Sequence, residues 1–388
     1  MGIQYYRDLL GDKRRLGLFR AAIFETVRPG DRVADVGTGL GTFGFFALQA
    51  GAGKVYGIDP DPVIEVAKAI SRANGFEDRA VFLKGYVKDV VLPERMDLLI
   101  TEDFDPLFLG PYLGALVIDS RERLLKPGGR LMPLSVDVLC APVHAPKAHR
   151  SIDLPDGRRG RLFGIDFTPL RELSVNNLHS CALRPENLLA DPGLLSSHRL
   201  ASLRREDFSL DQTLTFRLSG DGVIHGLAGW FDAQLSKGVR ISNGPSAPES
   251  SWGQNFLSLQ TPVQVRKGEV LELRVRTAPW GPKLIWAWEV RIFGRRAGGR
   301  PRPPRAEFNH STFRGFPFSK GRYQKRTPQF APGLSRTGKA VRFILERADG
   351  RRSLEALGED LCREFPDLCR NSQEGFRKVL DLTQGYLE

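Results

Sequence analysis

Long apolar runs are missing from this 388-residue chain. No stretch approaches the ~18 apolar residues of a membrane helix, and the opening MGIQYYRDLLGDKRR lacks the apolar core of a signal peptide. Tyr6 stands where an N-myristoylation signal has Ser or Thr. A soluble, cytoplasmic protein is the expectation. Cysteine is scarce: four residues, at 140, 181, 362 and 369, form no CxxC pair, and no histidine lies at metal-ligand spacing from them. That argues against a structural zinc and for free thiols in a reducing compartment. Negative charge is also in deficit, with 45 Asp and Glu against 57 Lys and Arg, a net +12. Much of the excess sits between Arg295 and Arg326, so it belongs to one segment rather than to the whole fold.

What the chain does have is a glycine loop in a particular setting. Val33-Ala-Asp-Val-Gly-Thr-Gly-Leu-Gly-Thr-Phe-Gly44 runs from an apolar stretch through Asp35 into glycines at 37, 39 and 41, then into an apolar, alanine-rich segment. The pattern predicts strand, tight loop, helix. Glycine suits such a loop because it turns with positive φ and leaves backbone amides bare for a ligand. About 20 residues on, Val55-Tyr-Gly-Ile-Asp59 predicts a second buried strand ending in an acid, where nucleotide-binding α/β folds put the carboxylate that grips a ribose. The spacing is GxGxG rather than the dinucleotide GxGxxG, and no Lys-Ser/Thr follows as a phosphate loop requires. That favours S-adenosylmethionine over NAD or ATP.

Around this loop the spacing predicts a helix over residues 4–27, further strands at Ala80–Lys84 and Met96–Glu102, and intervening helices at Val63–Asn74 and 112–124. This is the doubly wound α/β pattern, expected over residues 1–133. Glu102, with Asp103 and Asp105, falls at a strand C-terminus, where such folds place their chemistry. Asp12-Lys-Arg-Arg15 reads either as a solvated charge cluster or as a basic residue set over the glycine loop to meet a cofactor carboxylate. Tyr5 and Tyr6 either pack in the core or close over the ligand. From 134 to 294, short alternating runs predict an antiparallel β domain, sandwich or barrel, interrupted by a mixed stretch at about 150–197. Residues 295–335, headed by Arg300-Pro-Arg-Pro-Pro-Arg305, predict a basic linker. Its aromatics among arginines leave single-stranded nucleic acid as an unfavoured partner. Residues 336–388 predict three short helices of winged-helix size.

The first 290 or so residues resemble the protein arginine methyltransferases. VADVGTGLG matches that family's cofactor motif, and KVYGIDPDPVIEVAKAISRANGF, LKGYVKDVVLPERMDLLITE, LKPGGRLMP and GLAGWFDAQL continue the match in order. The resemblance implies a Rossmann-like domain, a β-barrel and S-adenosyl-L-methionine as cofactor. It assigns the cofactor to Arg15, Asp35, Gly37, Thr38, Gly39, Gly41, Asp59, Pro60, Val87 and Glu102. It makes Arg15, with Asp12 as partner, the residue that binds the methionine carboxylate, and Glu102 the first acid of a double-glutamate loop. A homodimerisation arm is implied at Phe163-Gly-Ile-Asp-Phe-Thr-Pro-Leu-Arg171 onward. The last 50 residues resemble small PqqD-like domains that bind leader peptides, through GRRSLEALGEDLCREF.

Two departures stand out. The second glutamate of the loop should fall near 111, where the chain has Gly110-Pro111, and the family's Thr-His-Trp loop corresponds to Ser250-Ser-Trp252, without its histidine. A guanidinium is held by a two-carboxylate fork, which one acid cannot form. The expectation is therefore an N-methyltransferase of a peptide or protein side chain, with Glu102 as orienter or base and Asp103 or Asp105 as a replacement acid or a solvated one. Tyr5, Tyr6 and Trp252 are the acceptor-side candidates. A ribosomally made precursor delivered by the C-terminal module is the finer expectation, and a catalytically silent scaffold the alternative.

Overall fold

Valine, isoleucine and leucine fill the centre of the first sheet because its strands are covered on both faces. In the computed structural model β1 (Arg32–Val36), β2 (Lys54–Asp59), β3 (Ala80–Lys84), β4 (Met96–Thr101) and β5 (Leu125–Met132) lie in the order β3-β2-β1-β4-β5. All pairings are parallel. The structure describes residues 2–103, 107, 111–152, 161–248, 250–280, 283–295, 303–317, 321, 325, 327–383 and 386. Asp105 and Gly110 lie outside them.

The single helix expected over 4–27 is two, α1 (Ile3–Gly11) and α2 (Lys13–Thr26). Asp12 makes the break: its backbone leaves the helical region (φ −76°, ψ 78°), and its carboxylate accepts from the Arg15 amide at 2.9 Å. An acid that caps the next helix competes with continuing the first. The remaining helices of this part are α3 (Thr42–Gln49), α4 (Ile64–Ala73) and α5 (Pro111–Leu124).

The β domain, expected from its residues as a sandwich or barrel, consists of two antiparallel sheets. Six strands, β6 (Ser135–Val143), β9 (Leu178–Cys181), β10 (Gly193–Arg199), β12 (Gly222–Gln234), β13 (Arg240–Ser242) and β14 (Gln254–Val265), form one sheet. Four, β11 (Asp211–Arg217), β15 (Val270–Trp280), β16 (Lys283–Phe293) and β17 (Ala306–Ser311), form the other. Among the described residues no ladder joins the edge strands of the two sheets, so no ring closes. Strand β17 lies inside the stretch read as a linker: Phe308 faces Val290 in register and His310 is buried under Trp288, which is enough apolar contact to order it. Between β6 and β9 come α6 (Pro146–Ile152), a hairpin of β7 (Arg161–Leu162) and β8 (Ile165–Asp166), and α7 (Thr168–Ser174). One hydrophobic core runs from Phe19 and Ile100 of the α/β part to Leu227 and Trp288 of the sheets.

Residues 1–317 form one compact unit and 318–388 a second. The second contains α8 (Arg336–Leu345), α9 (Leu354–Glu364) and α10 (Ser372–Thr383), packed around Ile344, Leu361 and Val379. No strand is present among its described residues, so the wing of a winged helix, and with it the PqqD-like reading, has no counterpart there. Of four cysteines expected as free thiols, Cys362 and Cys369 are joined as a disulfide, because the turn after α9 brings their Cα atoms to 5.2 Å. Cys140 and Cys181 are free.

Candidate active site

The C-terminal ends of β1, β2 and β4 open on a cavity of about 700 Å³, the position that an open parallel sheet reserves for its ligand. The glycine loop forms its floor. Gly37, Gly39 and Gly41 have φ of 76°, 51° and 82°, a region that side chains with a Cβ avoid. The Gly37 and Thr38 amides are tied to the Ile58 carbonyl of β2, at 2.9 and 3.2 Å. Asp35 sits beneath, fully buried, and accepts from the Thr38 hydroxyl at 2.6 Å and the Gly44 amide at 3.0 Å. Burial pushes its carboxyl up to about 6, against the pull of those two donors.

Two of the expected cofactor contacts lie behind the cavity wall. Asp35 and Gly41 do not line the cavity. Asp35 is spent on holding the loop from below, and a Cβ at Gly41 would meet the Phe82 ring at 2.8 Å, so that glycine serves packing. Gly37, Thr38, Gly39, Asp59, Pro60, Val87, Arg15 and Glu102 do border the cavity, as do Tyr5, Tyr6, Asp103 and Trp252.

At one end Asp59, at the tip of β2, accepts from the Gly39 amide at 2.9 Å and the Asp61 amide at 2.8 Å. Each oxygen keeps a lone pair for a diol hydroxyl. Tyr6 packs with Leu40 and Val63, its ring 3.2 Å from where a Gly39 Cβ would be. Burial, then the charges of Asp59 and Asp61, push its phenol up to about 12 and keep it a neutral donor. At the other end Arg15, 4% exposed, crosses from α2 to Glu102, with Nη1 to Oε2 at 2.8 Å. Its Nη2 donates to the Leu9 carbonyl at 2.9 Å, and its Nε, buried, has no partner among the described residues. Burial raises the Glu102 carboxyl to about 7, against the opposing pull of Arg15. Asp103 lies beside Gly37 on the rim.

Sequence reasoning missed Leu9, Leu10, Asp61 and Ser251, all of which border the cavity. The repeated acid in Asp59-Pro-Asp61 was a signal for one of them. Ser251 was marked only as the position of a missing histidine, and its partner Asp12 lies 239 positions before it.

A bare glycine floor, a diol-accepting acid at one end and a buried guanidinium with an unfilled donor at the other fit a nucleoside that carries an amino-acid carboxylate. Fold and site define an S-adenosylmethionine-dependent methyltransferase. A methyltransferase-domain model matches residues 28–149, and the arginine methyltransferase oligomerization subdomain matches residues 158–282. The homologues are protein arginine N-methyltransferases. Protein arginine N-methyltransferase 6 of Xenopus laevis is 28% identical over 279 residues, covering 68% of this chain and 81% of the relative. The probable protein arginine N-methyltransferase 6 of Arabidopsis thaliana is 27% identical over 304 residues, 74% of this chain and 68% of the relative. In fold the chain is similar to the Trypanosoma brucei PRMT1 enzyme–prozyme heterotetrameric complex with AdoHcy, with a TM-score of 0.70 at 22% identity, covering 79% of this chain and 97% of that one. Arabidopsis thaliana protein arginine methyltransferase 10 gives the same score and identity over 80% and 98%. No helix of the described residues is long and apolar enough to cross a membrane.

Proposed function

We propose that this protein transfers a methyl group from S-adenosylmethionine to a side-chain nitrogen of a protein or peptide, and that arginine, for which its relatives are named, is the first acceptor to test. The observation that carries the reading is the Arg15–Glu102 pair, which sets a half-buried carboxylate beside the cofactor end of the cavity. The bound cofactor supplies an already activated methyl group. What remains for the chain is to orient the acceptor nitrogen, hold its positive charge and exclude water.

In this reading Arg15, through its unfilled Nε, meets the cofactor carboxylate, and Asp59 holds the ribose. Glu102 orients the acceptor and receives its proton. Asp103, on the same rim, is the candidate second carboxylate of a guanidinium fork. The arm between β6 and β9 supports a homodimer. The β7–β8 hairpin turns at Phe163 and Gly164, leaving Phe163 94% exposed and Ile165 and Leu170 exposed beside it, an apolar face of the kind that assemblies cover. The test is Glu102→Gln with labelled cofactor and arginine- or lysine-containing peptides. Unchanged cofactor affinity with turnover reduced 10²-fold or more is expected. Full turnover in that variant would overturn the role, and tight cofactor binding by the wild type with no acceptor methylated would favour a silent scaffold.

A further inference from the structure

Strand β4 stops at Thr101, Glu102 and Asp103 follow on the cavity's border, and α5 starts at Pro111 with Leu116 on the same border. Between them Leu107, 2% exposed, does not border the cavity but belongs to the core that joins the α/β part to the sheets. Its side chain enters the central strand of the six-stranded sheet. A Cβ at Gly229 of β12 would lie 2.6 Å from Leu107 Cδ2, so the leucine tip occupies the place of the missing side chain. Gly229 pairs with Cys140 of β6 on one side and Asn255 of β14 on the other, and it takes no positive φ. Its backbone asks nothing special. Space alone calls for glycine there, as it does where another group approaches a strand closely.

A second glycine works in the reverse direction. Gly114 of α5 is buried, and a Cβ on it would lie 2.2 Å from Cε2 and Cζ of Phe208. Phe208, 4% exposed, is itself held by the β domain: its carbonyl accepts from the Thr277 hydroxyl of β15 at 2.8 Å, and its ring lies parallel to that of His198 of β10 at 6.4 Å. One glycine of the sheet thus receives a leucine of the α/β part, and one glycine of α5 receives a phenylalanine of the β domain. Three residues separate Asp103 from Leu107, a tether of at most about 14 Å. Glu102 and Asp103 are therefore strung between β4 and a point that β12 fixes.

We propose that Leu107 is a positioning residue, a plug seated in the Gly229 socket, through which the β domain sets where Glu102 and Asp103 meet the acceptor nitrogen. It acts through the short chain that joins it to the two acids, and it rests on the reading of this cavity as the methyl-transfer site. Ordinary carbon contact begins near 3.5 Å, so one methyl group at Gly229 drives the leucine tip back by about 1 Å. A misplacement of that size costs a positioned reaction on the order of 10²-fold. The cofactor's floor is held separately, by Asp35 beneath the glycine loop and by the Ile58 carbonyl. Disturbing the socket therefore separates the two functions: cofactor binding stays and turnover falls.

The experiment compares Gly229→Ala, Leu107→Ala and the paired exchange of Gly229→Ala with Leu107→Val against wild type, all in the full chain. The readouts are S-adenosylhomocysteine affinity by calorimetry, kcat with arginine- and lysine-containing peptides at saturating cofactor, and amide exchange of the fragments that carry Leu107 and the first turns of α5. Gly229→Ala is expected to keep its affinity within about twofold, to lose kcat by about 10²-fold and to exchange faster. The paired exchange moves one carbon from plug to socket at constant volume, and it restores both kcat and exchange. Leu107→Ala empties the socket without touching the sheet, so it shows the same two losses even where Gly229→Ala fails to fold. Wild-type kcat and exchange in Gly229→Ala or in Leu107→Ala overturn the plug, as does a paired exchange no better than Gly229→Ala alone. If the wild type methylates none of the peptides, that result counts against the methyl-transfer reading, and the exchange rates alone decide the plug.

Discussion

Glu102 has the most consequential environment of any single residue in this chain. Its carboxyl, raised to about 7 by burial, is divided between two protonation states near neutrality, and only the ionised one accepts a proton. A base with a raised pKa is inactive below that value and active above it. Methyl transfer at saturating cofactor is therefore expected to rise about tenfold per pH unit below 7 and to level above it, while the residual rate of Glu102→Gln stays flat. A kcat profile between pH 5.5 and 9 reads this directly, and a wild-type profile without a break near 7 contradicts the assignment. Glu102 was legible in the sequence because a strand end in an α/β fold predicts both its place and its surroundings. Arg15 was half legible, since its charge was visible but its burial was not. Ser251 was visible only as the position of a missing histidine, because nothing local marks a serine whose partner is an aspartate at the far end of the domain.

Helices and strands show the same division between local signals and contacts made at a distance. Helices α8 and α9 announce themselves by apolar spacing and by Ser335 and Ser353, whose side chains accept from the Gly338 and Ala356 amides. The break at Asp12 was hidden because the apolar positions of α1 and α2 stay in helical phase across it. Strand β17 was hidden by the arginines and prolines around it, and by pairing that only β16 supplies. How α9 and α10 cross was equally unreadable. A Cβ at Gly358 would lie 2.6 Å from the Phe376 amide nitrogen and 3.1 Å from its Cα, and one at Gly375 would lie 2.3 Å from the Gly358 carbonyl. Backbone meets backbone there, so neither helix has a side chain to move aside. Gly358→Ala gains about 1 kcal/mol in helix propensity and is expected to lose more than that by forcing the helices apart, for a net cost of about 1–2 kcal/mol. Faster amide exchange over residues 354–383 of the full-length protein would register it, and protection equal to wild type would show that the crossing has slack.

At the scale of the molecule, the first unit buries histidine where protonation is costly, and its stability inherits that pH dependence. His310 of β17 is 3% exposed, stacks on Trp288 at 5.2 Å, and has no partner for either ring nitrogen among the described residues. Burial, helped by the charge of Arg314, lowers its pKa to about 4. His225 is lowered too, first by burial and then by His144 and His149, whose rings lie 5.0 and 5.7 Å away. A base depressed on folding takes up its proton in the unfolded chain first. The folded state therefore keeps its full margin above pH 6.5 and loses it as the pH falls toward 4. Glu102 acts in the opposite sense between its ordinary value and 7, so the total stability curve conceals the histidine contribution. His310→Phe separates the two. A phenyl ring suits the stack between Trp288 and Phe308 and carries no proton, so this variant is expected to match wild type near pH 8 and to exceed it by about 2 kcal/mol at pH 5. Urea unfolding at the two pH values measures the difference. A constant offset between variant and wild type would mean that His310 titrates alike in the folded and unfolded chain, and that the acid sensitivity of this unit resides instead in the cluster around His225.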